Sequence, residues 1–111
     1  MSLDVYLKDP TATYDIDDLY QANITHNLGE MADKAGIYKA LWRPEEIGAK
    51  VANDIVEILE KGLNDLKTRP EYFKQFDSPN GWGMYEHFVP FVEEYLNACK
   101  EYPKAIINVS R

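Results

Sequence analysis

The chain is 111 residues long, 45% hydrophobic and 28% charged, with 19 acidic against 12 basic residues and a net charge of −7. That length suits one domain, and that apolar content excludes an intrinsically disordered chain. The acidic balance argues against nucleic acid and anionic membrane surfaces as partners, because both need Lys and Arg to neutralise phosphate.

Leu3, Val5 and Leu7 alternate with Asp4, Tyr6 and Lys8, the period of a half-buried strand, and Asp9-Pro10 ends it. Tyr14 and Ile16 suggest a second short strand, and Tyr20, Ala22 and Ile24 another, with Asp15, Asp17 and Asp18 in the turn between. Leu28, Met31, Ala32 and Ala35 form a helical stripe. Thr25 or Asn27 can cap its start, and Asn27 with Glu30 resembles a capping box. Gly36 reads as a left-handed stop, and Ile37 to Trp42 adds one further turn before Arg43-Pro44.

The strongest element runs from about Ala49 to Lys67, where Val51, Ile55, Ile58, Leu59, Leu63 and Leu66 keep the helical period. Thr68 and Glu71 form a second expected capping box, opening a short helix with Tyr72, Phe73 and Phe76. Asp77 to Gly81 is a turn cluster. Met84, Phe88, Phe91, Val92, Tyr95, Leu96 and Cys99 again have helical spacing, with Pro90 either delaying the regular helix to Val89 or kinking it. Ala105, Ile107 and Val109 alternate as a final strand. The pattern predicts an α+β fold, a single domain over residues 1–111, with a small antiparallel sheet that includes the first and last strands as neighbours. Three to four helices pack on one face of it.

No specific catalytic motif is present: no P-loop, no Gly-x-Ser-x-Gly elbow and no paired CxxC. Asn23, Thr25, His26 and Asn27 surround a predicted helix start, a place for an anion or polar ligand with His26 as donor or general base. The plainer alternative is helix capping with His26 on the surface. His26 and His87 with Glu86 or Asp18 lack any metal-ligand spacing, so neither metal nor cofactor is expected. The acidic run Asp15 to Asp18 lacks the glycine of a calcium loop. Cys99 sits on an apolar helix face and reads as an inert core residue. Glu45-Glu46 and Glu93-Glu94 are adjacent and do not share a helix face.

Trp42 and Arg43, and Asn80, Trp82 and Tyr85, lie in two aromatic segments beside turn residues. Such residues anchor interfaces and stack on planar ligands. Converging on His26, the two segments would enclose a polar-aromatic pocket. Otherwise both tryptophans plug the core and Arg43 pairs with Glu45 or Glu46.

Ser2 to Leu7, Ala22 to Leu28, Ala35 to Tyr38, Leu41 to Glu46, Asn80 to Gly83 and Val109 to Arg111 together resemble a family of small proteins found in bacteriophages and in bacterial genomes as prophage. The resemblance implies an accessory protein that helps a phage against its host, and it supplies no catalytic residue.

The expectation is therefore a non-catalytic binding protein in the cytoplasm, the host's if phage-encoded. It would take a small polar or nucleotide-like ligand, or a host protein. Its N-terminus has no basic region followed by an apolar run, so no signal peptide is expected, and no stretch nears the ~18 apolar residues of a membrane span. One alternative is a small enzyme with His26 as base or donor and Asn23, Asn27 and His87 orienting the substrate. Another is an assembly factor joined through the Trp42 and Trp82 loops. The oligomeric state, a homodimer included, stays open.

Overall fold

A computed structural model describes residues 2–11 and 18–111. The expected strand around Tyr14 and Ile16, and the turn at Asp15 and Asp17, lie outside the described residues.

Strand β1 (Ser2–Lys8) is the middle of a three-stranded antiparallel sheet of order β2-β1-β3, with β2 at Asp18–Thr25 and β3 at Ile106–Ser110. The first and last strands are thus neighbours, with Val5 opposite Val109 and Leu7 opposite Ile107. Alternation decides the faces. Leu3, Val5 and Leu7 have no exposed surface, whereas Ser2, Asp4, Tyr6 and Lys8 are half-buried on the other side. The helices cover the first face, and the second stays polar and open.

A 3₁₀ turn (His26–Leu28) leads into helix α1 (Gly29–Lys34). Gly36 then takes a left-handed φ of 76°, the stop its position predicts, and α2 (Tyr38–Trp42) follows. Helices α3 (Asn53–Thr68) and α5 (Tyr85–Glu101) are the longest, and short α4 (Pro70–Lys74) lies between them in sequence. Ile55, Leu59 and Leu66 of α3 and Phe88, Val92 and Tyr95 of α5 are buried in the same core, the aliphatic and Phe side chains each contributing roughly 1.5–3 kcal/mol of burial.

Three boundaries differ from the sequence pattern. Helix α3 begins at Asn53, not near Ala49, because Val51 instead bridges Ile106 and the Lys50 carbonyl accepts the Ile107 amide at 3.0 Å. The Asp54 carboxylate accepts the amides of Lys50 (2.9 Å) and Val51 (3.1 Å), which holds that segment extended and keeps the carboxyl below its ordinary range. The Thr68 hydroxyl turns back to the Asp65 carbonyl at 3.3 Å, so the expected Thr68–Glu71 capping box does not form and Arg69 precedes α4. Helix α5 runs through Pro90 from Tyr85. Its first amide is secured from outside by the Asp77 carboxylate, which accepts from the Tyr85 N–H at 2.6 Å.

Candidate functional site

Three segments distant in sequence meet at the end of the open sheet face: the β2 terminus, helix α2 and the loop before α5. Strand β2 ends at Thr25, opposite Ser2, where the backbone is still extended (φ −69°, ψ 145°). The Thr25 hydroxyl accepts the Asn27 amide at 3.3 Å and so caps the turn. The capping box expected from Asn27 and Glu30 is absent, because the Asn27 side chain is engaged elsewhere: its Nδ2 donates to the Trp82 carbonyl at 2.6 Å.

Trp42 lies behind this turn. It is 3% exposed and stacks on Tyr38 with centroids 5.3 Å apart and planes within 9°. Its Nε1–H donates to His26 Nδ1 at 2.8 Å. An indole nitrogen only donates, so the imidazole nitrogen that accepts from it carries no proton. The neutral ring therefore holds its proton on Nε2, and an Nε2–H donor is the polar group His26 has left to offer. The segment is tied further by Arg111, whose guanidinium donates to the Trp42 carbonyl at 2.8 Å and to the Glu45 carboxylate. Arg111 holds that carboxyl below its usual range.

The loop before α5 is closed by its own polar groups. Asn80 Oδ1 accepts from the Ser78 hydroxyl at 2.6 Å and from the Trp82 amide at 2.9 Å, and the Ser78 amide donates to the Gly83 carbonyl at 2.9 Å. Gly83 has φ +116°, and a Cβ there would sit 2.8 Å from Asn27 Cβ. Only glycine allows both that conformation and that approach. The loop is thus fixed to the 25–27 turn through backbone, while the Trp82 residue itself is 72% exposed.

Between these walls lies an open hollow of about 1050 Å³. Ile24 and Leu28 supply apolar wall, Trp82 an indole, and His26 and Asn23 polar groups. Asn23 Nδ2 donates to Ser2 Oγ at 2.8 Å and to Asp4 Oδ1 at 2.6 Å. With both amide hydrogens taken, its Oδ1 is left as an acceptor. No Lys, Arg, Asp or Glu is among the described residues lining the hollow.

Of the residues singled out from sequence, Asn23, Thr25, His26, Asn27, Asn80 and Trp82 line this hollow. Trp42 does not; it stands behind and holds His26. Arg43 lies apart, 3.6 Å from Glu46 in the pairing that was the plainer alternative. Tyr85 also lies apart, its hydroxyl donating to the Leu66 carbonyl at 2.6 Å. His87 lines the wall, yet no group of three or more His, Cys, Asp or Glu comes together for a metal ion among the described residues. Burial pushes the Cys99 thiol up to about 12, so at neutral pH it is protonated and a poor nucleophile. Sequence reasoning missed Ser2 and Arg111 as site supports. Neither carries a sequence signal: Ser2 reaches the site because the strand register opposes it to Thr25, which the sequence does not give, and nothing local marks Arg111.

No family model, curated protein or solved structure matches this chain. No helix among the described residues is long and apolar enough to cross a membrane.

Proposed function

We propose that the chain is a non-catalytic binding protein that takes a small polar ligand in the hollow between the 25–27 turn and the 80–83 loop. The observation that carries this is the pinning of Trp82. Its amide and carbonyl are both held, at 2.9 and 2.6 Å, while 72% of the residue's surface stays in solvent. An indole left exposed on a backbone so restrained forfeits roughly 1.5–3 kcal/mol of burial, a cost that covering it with a ligand recovers.

The enzyme alternative weakens at His26. A general base needs a lone pair facing its substrate, and the Trp42 bond occupies the ring's unprotonated nitrogen. Donation from Nε2–H survives; proton abstraction does not. Binding without turnover also suits an accessory role of the kind the sequence resemblance implies.

The test is a screen of uncharged polar fragments by amide-resolved NMR on isotope-labelled protein. Ligands are expected to shift the amides of His26, Asn27 and Gly81 and the Trp82 indole N–H together. Shifts confined to other surfaces, or none with any fragment, would refute the proposal.

A further inference from the structure

Building on that binding proposal, we infer that the ligand is an uncharged planar nitrogen heterocycle of the nucleobase or nucleoside class. It lies flat on Trp82, accepts a hydrogen bond from His26 Nε2–H and donates one to Asn23 Oδ1. Three independent features define this class.

Charge comes first. The described lining holds no Lys or Arg, and the protein carries a net charge of −7. A phosphate entering here would meet no permanent countercharge in a field of its own sign. An acid stands just behind the lining, because the Asp4 carboxylate lies 2.6 Å from the Asn23 amide nitrogen. The base and sugar of a nucleotide fit this setting; its phosphate does not.

Polarity comes second. His26 is held by Trp42 in the form whose remaining polar group is a donor, and Asn23 is held by Ser2 and Asp4 with its carbonyl oxygen remaining. One preset donor and one preset acceptor suit a ring edge that carries both an acceptor nitrogen or oxygen and an N–H. A sugar presents hydroxyls around its whole rim in place of the paired acceptor and N–H of such an edge. Shape comes third. An exposed indole is a stacking surface for any base, because every base has a π-face.

The experiment is calorimetric titration of the intact chain with the four common ribonucleosides, their 5′-monophosphates and methyl glucoside. At least one nucleoside is expected to bind, and its monophosphate more weakly. Trp82→Ala should weaken that nucleoside about 5- to 150-fold, the range seen when a stacked aromatic is removed. His26→Asn keeps an oxygen for Trp42 but loses the Nε2–H, and should weaken it about 2- to 12-fold. Unchanged affinity in Trp82→Ala overturns the inference. So does a monophosphate that binds as tightly as its nucleoside, or binding of the glycoside alone. Should no nucleoside bind while neutral fragments still shift the hollow's amides, the heterocycle is refuted and the binding site stands. If the fragments fail as well, both fall.

Discussion

Trp42 and Trp82 are the chain's only tryptophans, each set beside turn-forming residues, and they end in opposite environments. Trp42 is 3% exposed, Trp82 72%. Trp42 ends a helix whose last three residues, Ala40, Leu41 and Trp42, are all buried, so its indole packs against Tyr38 and its N–H finds His26. Trp82 sits between two glycines in a loop whose ties near it run through backbone, Asn80 and Asn27. The side chain of the first is structure. That of the second is surplus to structure. One residue type thus serves positioning in one place and, on the binding proposal, recognition in the other, and the difference lies in what its neighbours leave unsatisfied.

Substitutions at the two positions should separate these roles. The largest effect is expected from Trp42→Ala, which opens a cavity in a near-fully buried site at a cost of roughly 3–5 kcal/mol and also removes the donor that orients His26. Chemical denaturation measures it. A loss below about 1 kcal/mol would mean that Trp42 is not the packing element its burial indicates. Gly83→Ala comes next. It forces a side chain onto φ +116° and to within 2.8 Å of Asn27 Cβ, at roughly 1–3 kcal/mol of strain, and the accompanying loss of the Asn27–Trp82 contact should show as broadened amides across residues 80–83.

Trp42→Phe is subtler. The ring can still stack on Tyr38, but the hydrogen bond to His26 is gone, at about 0.5–1.5 kcal/mol. Its sharper readout is the ring itself. In the wild type, nitrogen-detected NMR of His26 should show the Nε2–H form alone; in Trp42→Phe the proton is free to populate Nδ1 as well. A wild-type ring with its proton on Nδ1 would contradict the geometry described.

The fold was largely legible because its signals are periodic and local. The alternation of Leu3, Val5 and Leu7, and the stripes from Ile55 to Leu66 and from Phe88 to Cys99, each report burial directly. Where local signals misled, a tertiary contact had taken over the group concerned. Val51 continues the apolar period of α3 but is claimed by Ile106, and Asn27 has the right spacing to cap a helix but gives its amide to a carbonyl 55 residues away. The site shows the same limit. Its polar cluster from Asn23 to Asn27 could be picked out by residue type, because Asn, Thr and His are conspicuous beside an apolar run. The assignment of one tryptophan to the core and the other to solvent could not, since it depends on the path of α2 and on Arg111 reaching back to the Trp42 carbonyl.

The smallest expected effect on stability is that of Trp82→Ala, and it is the most informative. Both backbone contacts of the residue survive the substitution, since the amide still donates to Asn80 and the carbonyl still accepts from Asn27. A side chain exposed to this extent should change unfolding free energy by no more than about 0.5 kcal/mol, and the amide spectrum outside residues 80–83 should overlay that of the wild type. Ligand affinity should fall nonetheless. A large loss of stability would instead make Trp82 a second packing residue and remove the contrast with Trp42, because the indole would then be needed to hold the loop rather than left over once the loop is held.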